Sequence, residues 1–332
     1  MKPEDEVRAA DAGFLIEAVR ERRTYEGLRS LWCRTFGDEP AFVDMLYRCF
    51  GADPEAEPYS DRIRGYVVTN ADGESVSALT CYLCGHYEDR PVYMSYAVCT
   101  DPDHRSMGLA GKLTAYVRDE VLEKGGISAV SPAEESLEAY YGNLGYERYF
   151  FTDIKELCIE DDDGPAEQMR FLPGADVSIY GSEDNEDADF FEAELSVRTV
   201  TAGEYIEKRE KLLRDVPHIT PAIELLELVR EDSAGGDGLA MINEGDAVCI
   251  MKSNDEGTLY LEEFLIDPAL MQISEEIEEE TVRRLACHER AKRVIYRAPG
   301  IRQCQTMAAG ISGSGAEGND AEERPYYGFP ID

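Results

Sequence analysis

The chain has 332 residues, with 69 acidic and 33 basic side chains and a net charge of −36 at pH 7. This charge argues against binding to the phosphate backbone of a nucleic acid and against docking on an anionic membrane. It leaves open whether the negative field attracts cationic acceptors such as amines or only keeps the protein in solution. A hydrophobic content of 43% supports packed cores, and the length suits two domains.

The sequence also predicts the location of the protein, the redox state of its cysteines and whether it binds a metal. No apolar stretch approaches the length needed to span a bilayer, and no secretory signal is recognisable at the N-terminus. We therefore expect a cytoplasmic protein whose nine cysteines are reduced thiols. Cys81 and Cys84 form a C-x-x-C inside a predicted strand, where they would point to opposite faces, and no second Cys/His pair stands at zinc spacing. No metal is expected.

The first half of the chain predicts alternating strands and helices. Thr24 is expected to cap the first helix, and Gly125 with Gly126 to end a later one. The predicted strands are 14–19, 65–69, 75–83, 93–100, 127–130 and 150–159, and the predicted helices are 24–36, 42–50, 109–124 and 132–143. This order favours an α/β (α+β) mixed sheet with helices on both faces.

The second half repeats part of this order after a linker at 160–165. A mostly helical segment, 190–213, precedes a hairpin formed by 238–242 and 247–251. The strand 258–268 lines up with 91–102 and leads to a helix over 274–292 and a strand over 294–297. We interpret the chain as two domains, 1–160 and 161–332, the second a degenerate repeat. An unrelated α+β domain is the alternative.

Two glycine-rich segments have different prospects as phosphate sites. Residues 310–318 mimic a nucleotide loop, but acids surround them and no strand–helix pair flanks them, so a flexible loop is favoured, followed by a final strand or plug at 325–330. By contrast, a short strand and the turn Asp101-Pro102 lead into a loop that opens directly into a helix. Consecutive N–H groups and the helix dipole favour a phosphate there, and Gly108 and Gly111 allow close approach.

Motifs in this region carry a family resemblance. The loop from Arg105 to Ala110 resembles the R-x-x-G-x-G/A motif of the GNAT (GCN5-related) acyl-CoA N-acyltransferases, with Ala in the last position. Tyr141-Gly-Asn-Leu-Gly-Tyr146 resembles the family's Y-x-x-x-G-F/Y signature, and 28–38 is similar to the first helix of many members. The three features occur in the family's order within 14–157, so the match is specific.

The resemblance implies a GNAT fold followed by a degenerate GNAT-like domain that lacks the coenzyme A loop. It implies transfer of acetyl from acetyl-CoA to a primary amine by direct attack. The splayed strand would bind the pantetheine arm and the loop the pyrophosphate. The residues implied for coenzyme A binding are Ala97, Val98, Cys99, Thr100, Arg105, Ser106, Met107, Gly108, Leu109, Ala110, Gly111 and Lys112.

The resemblance also suggests catalytic and acceptor residues. Tyr141 is the expected general acid for the thiolate, with Tyr140 as its competitor about 100° away on the helix. The general base stays open among Glu134, His86, Tyr93 and a water chain, and Glu134 replaces an Asn that contacts coenzyme A in many members. The acceptor side is expected to be lined by Trp32 and Phe36, with Phe42 beside them, although all three suit a core equally well. From the second domain, Glu262 or Glu263 could face an amine.

The expected partners are a small-molecule or protein amine, with no nucleic acid and no membrane, and a homodimer is possible. A non-catalytic acyl-CoA-binding or interaction protein is the main alternative. A dinucleotide-dependent oxidoreductase fits poorly, because the loop follows a late strand and Glu123, near the spacing of a ribose ligand, falls on a predicted helix.

Overall fold

The protein is described by a computed structural model that covers 8–11, 13–159, 195–232, 238–254, 256–274, 276–311 and 324–328. Its contacts divide the chain into two compact units. The first unit contains the described residues up to Thr152, Asp215–Glu231, and the described residues from Gly300 onward. The second contains the described residues of Asp153–Arg214 and Asp232–Pro299. The predicted linker and the boundary at residue 160 lie outside the described residues and stay predictions.

The described elements are mostly those predicted from the sequence. In the first part of the chain they are β1 (Arg8–Asp11), β2 (Phe14–Ala18), α1 (Arg22–Phe36), α2 (Pro40–Cys49), β3 (Ile63–Thr69), β4 (Ser75–Tyr87), β5 (Arg90–Thr100), α3 (Leu109–Glu123), β6 (Ile127–Val130), α4 (Ser136–Asn143) and β7 (Glu147–Cys158). After the undescribed segment they are β8 (Val197–Thr199), α5 (Ala202–Leu212), β9 (Thr220–Pro221), α6 (Ile223–Asp232), β10 (Gly238–Ile242), β11 (Ala247–Ser253), β12 (Thr258–Ile266), α7 (Pro268–Met271), α8 (Ile277–His288) and β13 (Arg293–Ala309).

Several predicted boundaries are wrong for local reasons. Thr24 does not cap α1, because the helix already begins at Arg22 and the Thr24 hydroxyl donates to the Glu21 carbonyl. Helix α4 begins at Ser136 rather than at 132. In the described part of this segment, from 195 to 213, only α5 is helical. Strand β8, which contains the β-branched residues Val197 and Thr199, precedes it, and Thr201 caps α5 by accepting from the Glu204 N–H.

Three further segments differ from the sequence-based prediction. Helix α8 spans Ile277–His288 and is shorter than the predicted 274–292. Strand β13 runs well past the predicted 294–297. Tyr326 forms single β-bridges rather than a strand, and it is buried in the first unit. From residue 312 onward, the predicted glycine-rich loop over 310–318 lies outside the described residues.

The first unit is built on the sheet order β1-β2-β3-β4-β5-β6, antiparallel from β1 to β5 and parallel between β5 and β6. Leu79 and Cys81 pack with buried residues of α3, whereas the intervening Thr80 hydrogen-bonds Tyr47 of α2. Because side chains alternate along a strand, helices α2 and α3 cover opposite faces of the sheet. Gly65 on β3 allows helix α1 to pack closely against the sheet, since an added Cβ would lie 2.5 Å from Cδ1 of Leu28 on that helix.

The second unit repeats part of this geometry with the sheet order β8-β10-β11-β12-β13. Strand β12 pairs antiparallel with β11 and carries a register shift at Glu262, then pairs in parallel with the start of β13. The Asp267 carboxylate accepts from the Ala269 N–H, as the Asp101 carboxylate does from the Asp103 N–H in the first unit. The repeated local geometry agrees with the sequence pattern, while the assignment of this unit to the same family stays a prediction.

Two features concern the whole described chain. No helix in the described ranges is both long and apolar enough to cross a membrane. Among the described residues there is no group of three or more His, Cys, Asp or Glu side chains that could hold a metal ion.

Candidate active site

Strand β5 is irregular where the resemblance places the pantetheine arm. Opposite β4, Cys99 pairs with Ala78 and Tyr96 pairs with Thr80, so Ala97 and Val98 together face a single residue. Ala97 adopts a φ of +52°, which L-residues rarely do. This is a β-bulge, which bends a strand and redirects its backbone groups.

The pairing of β5 with β6 ends just before the bulge. Residues Val92 to Ser95 pair in parallel with Ile127 to Val130. No strand in the described part of the chain pairs with 97–100 on that side. Backbone donors and acceptors left open at a strand require another partner, and an extended ligand arm can supply it. Ala97, Val98, Cys99 and Thr100 therefore lie together along an open strand edge.

The strand leads directly into a tightly folded loop. The Asp101 carboxylate accepts from the Asp103 N–H, and this hydrogen bond lowers the pKa of Asp101. Arg105 Nε donates to the Thr100 carbonyl at 3.3 Å. Ser106 has a φ of +65° and Gly108 a φ of +72°. These two left-handed residues turn the chain sharply into α3.

No side chain in the described part of the chain caps the N-terminus of helix α3. Gly108 occupies the N-cap position, and a Cβ added there would meet nothing within 4 Å. The first amide groups of a helix lack partners within the helix and carry partial positive charge. Since Ser106, Met107 and Gly108 are exposed, the site is accessible to an anion. Buried Leu109 anchors the helix beneath it, and Ala110, Gly111 and the half-buried Lys112 complete its first turn.

Tyr141 and Tyr140 lie in different surroundings. Tyr141 is 8% exposed and packs with Tyr146, Val130 and Met307. Burial raises the pKa of Tyr141 to about 12, so its hydroxyl stays protonated at physiological pH. Tyr140 is 37% exposed, and its hydroxyl lies beside Gly111 in the first turn of α3. The predicted general acid is thus the buried tyrosine, and its competitor lies at the candidate phosphate site.

Cys99 is poorly suited to act as a nucleophile. Burial raises the pKa of its thiol to about 12, against a smaller lowering by the Thr35 hydroxyl that contacts it. A thiol nucleophile reacts as the thiolate, which this environment disfavours. Cys99 is therefore a poor candidate for a covalent nucleophile.

The candidates for the general base lie at different distances from the bulge in β5. His86 is exposed, and the strand from Leu79 to His86 spans about 23 Å at about 3.3 Å per residue. Tyr93 donates to the Asp61 carbonyl, and by the same measure it lies about 13 Å along β5 from Ala97. Glu134 is exposed in the turn between β6 and α4, where the Ser136 hydroxyl donates to it. Of these three side chains, Glu134 alone follows the strand that diverges from the bulge.

The predicted acceptor residues differ in their exposure to solvent. Trp32 is 1% exposed, its indole N–H donates to Asp38, and its ring contacts Tyr96 edge-on at 5.3 Å. This environment favours a packing role beside the bulge. Phe36, at the end of α1, is 51% exposed and offers an apolar surface. Phe42 is half-buried on α2.

Sequence reasoning missed the contacts that hold α1 against the site. Thr35 contacts the Cys99 thiol, and an Arg34 guanidinium nitrogen lies 3.6 Å from an Asp101 carboxylate oxygen. No local pattern signals these pairs, because their partners are far apart in the chain. The second unit differs at its counterpart of the bulge, where Glu262 and Glu263 are ion-paired with Arg297 and Arg209.

Comparisons with known proteins bear on the family and the fold. Residues 76–154 match the family model described as "FR47-like protein", a segment that holds the bulge, the loop, α3 and Tyr141. No curated protein sequence matches the chain.

The chain resembles several solved structures at low sequence identity. One is a conserved protein of unknown function from Enterococcus faecalis V583, described as a probable N-acyltransferase, with 11% identity, a TM-score of 0.59, and coverage of 88% of this chain and 72% of that one. A GCN5-related N-acetyltransferase from Kribbella flavida has 16% identity and a TM-score of 0.56, with coverage of 90% of this chain and 72% of that one. A GCN5-related N-acetyltransferase from Anabaena variabilis ATCC 29413 has 14% identity and a TM-score of 0.58, with coverage of 88% of this chain and 72% of that one. The resemblance found in the motifs is thus confirmed at the level of the fold: this chain has the fold of the GCN5-related N-acetyltransferases.

Proposed function

We propose that this protein is an N-acyltransferase that transfers acetyl from acetyl-CoA to a primary amine by direct attack. The observation that carries the proposal is the continuity of the bulged, open end of β5 with the uncapped N-terminus of α3. The open end of β5 suits the thioester arm of an acyl-CoA, and the N-terminus of α3 suits its pyrophosphate.

The residues present suit such a donor. The Cys99 and Thr100 carbonyls already accept from Ser77 and Arg105, but backbone groups of 97–100 on the side away from β4 can hydrogen-bond the amides of a pantetheine arm. The amides at 106–110 can hold the pyrophosphate. The space where a Gly108 Cβ would be holds no atom of the described residues, so a phosphate can approach the backbone. When bound, the donor supplies an acetyl group activated as a thioester.

The chain's own groups would then act on charge and protons. A main-chain N–H near Val98 stabilises negative charge on the thioester oxygen, as preorganised donors do in acyl transfer. Tyr141 holds the proton that the leaving thiolate requires. Glu134, or a water beside it, takes the proton from the attacking amine.

The acceptor is proposed only as a class. The amine must lose its charge before attack, and Phe36 offers an exposed apolar contact near the end of α1. The negative charge of the chain would favour cationic acceptors. A cytoplasmic location and a homodimer stay predictions.

Calorimetric titration with acetyl-CoA tests the donor site, using Gly108→Glu as the disrupting variant. The new carboxylate would occupy the phosphate position and repel the ligand. Gly125→Glu is the matched control, because Gly125 follows the other end of α3 and has a φ of +79°, and no atom of the described residues lies within 4 Å of an added Cβ. We expect binding to the wild type and the control and its loss in Gly108→Glu.

Two outcomes would count against the proposal. Equal binding by Gly108→Glu would remove the loop from the site. Binding without thiol release in an amine panel would favour the non-catalytic acyl-CoA-binding protein.

A further inference from the structure

The hydroxyl of Tyr140 touches the helix turn that would receive the donor's phosphates. A Cβ added at Gly111 would lie 3.2 Å from Tyr140 Oη and 3.7 Å from Leu144 Cδ2. Gly111 is the third residue of α3, within the turn whose amides lack intrahelical partners. The absence of a side chain at Gly111 is what allows the phenol to lie against this turn.

The position of Tyr140 is held by its neighbours. Its ring meets that of Tyr141 edge-on, with centroids 5.1 Å apart. Adjacent residues on a helix point about 100° apart, so Tyr141 enters the core while Tyr140 faces α3. No side chain among the described residues hydrogen-bonds the Tyr140 hydroxyl, which leaves its proton available to a ligand.

We propose that Tyr140 is a specificity residue that donates a hydrogen bond to a diphosphate oxygen of the donor. The inference rests on the function proposed above. A phenol hydroxyl is a neutral donor, and hydrogen bonds to charged acceptors are stronger than those between neutral groups. Tyr140 therefore selects phosphorylated acyl carriers over the same thioester without its phosphates, while Tyr141 serves the reacting end.

The first test is Tyr140→Phe, which removes only the hydroxyl. Titration should show acetyl-CoA binding weakened by about tenfold, typical for loss of a hydrogen bond to a charged group. Binding of S-acetylpantetheine, which lacks the diphosphate, should change less than about twofold. A merely structural role of the hydroxyl would weaken both ligands alike. Tyr146→Phe is the matched control, because it removes a buried phenol hydroxyl that is hydrogen-bonded with Ser128, and it should leave acetyl-CoA affinity within about twofold.

The contact with Gly111 provides an independent test. Gly111→Ala would place a methyl group against the hydroxyl and displace it, although alanine otherwise suits a helix. We expect Gly111→Ala to weaken acetyl-CoA binding, and the double variant with Tyr140→Phe to bind no worse than Tyr140→Phe alone. Additive losses would show that the two residues act separately and would overturn the inference.

The outcomes separate this inference from the proposed function. If the wild type binds no acetyl-CoA, the donor site fails and this inference fails with it. If the wild type binds and Tyr140→Phe binds equally well, the inference alone is wrong.

Discussion

Tyr141 shows how burial sets the behaviour of a single side chain. Its ring packs against Tyr146 and Val130, and burial raises the pKa of its hydroxyl to about 12. A general acid is active while it holds its proton. The acid form of Tyr141 is therefore present throughout the physiological range and is lost only as the pH rises through about 12.

Replacement of Tyr141 by phenylalanine should lower kcat about 100-fold, because a positioned general acid contributes roughly 10²–10⁴. In the wild type, kcat between pH 7 and 10 should show no decline that depends on Tyr141. The measurement is thiol release against pH with an accepted amine. Tyr146→Phe is the control, since it also removes a buried hydroxyl, here one hydrogen-bonded with Ser128, and it should keep kcat within about threefold. Unchanged kcat in Tyr141→Phe would remove this tyrosine from the chemistry.

At the scale of the element, the bulge in β5 decides what the strand can bind. It leaves Ala97 at a φ of +52°, a conformation that costs an L-residue about 1–2 kcal/mol. Such strain persists only where surrounding packing imposes it. Tyr96, next to Ala97, contacts Trp32 of α1, which helps to hold the irregular segment in place.

Ala97→Val should therefore damage both stability and binding. A β-branched residue at positive φ should lower the free energy of unfolding by roughly 1–3 kcal/mol. It should also weaken acetyl-CoA binding by more than about tenfold, a change of about 1.4 kcal/mol, by altering the open strand edge. Urea denaturation and calorimetry measure the two effects. Ala97→Gly, which accepts this backbone conformation, should bind within about threefold of the wild type. Wild-type affinity in Ala97→Val would exclude the bulge from the donor site.

For the whole molecule, buried thiols and phenols of raised pKa make stability depend on pH at the alkaline side. Burial raises the pKa of the Cys84 and Cys99 thiols and of the Tyr141 phenol to about 12. These groups keep protons in the folded state that the unfolded chain releases at lower pH. Their stabilisation is complete below the unfolded pKa values, about 8.5 for cysteine and 10 for tyrosine, and is lost as the pH rises towards 12.

The free energy of unfolding should thus fall above about pH 8.5 under reducing conditions. Each titrating group contributes up to about 1.4 kcal/mol per pH unit between its unfolded and folded pKa. Urea denaturation from pH 7 to 10.5 measures the slope. Cys84→Ala removes one titrating thiol and should make the decline shallower above pH 9. A flat profile for the wild type would contradict the expected linkage.

The sequence by itself determined the features that depend on near neighbours. Apolar periodicity predicted the order of strands and helices in the first half, and the segment from Asp101 to Gly111 predicted an anion site at a helix start. The repeat of an Asp-Pro turn at Asp267 was visible in the same way. Thr24 shows the limit of such reasoning, since the earlier start of α1 changed its role.

Only the tertiary structure decided which distant residues meet. It separated Tyr140 from Tyr141, brought Thr35 to Cys99, buried Trp32, and put Ala97 into a bulge. Periodicity and turn chemistry act within a few residues along the chain. Contacts between elements depend instead on how whole helices and strands pack, and no short pattern in the sequence encodes that packing.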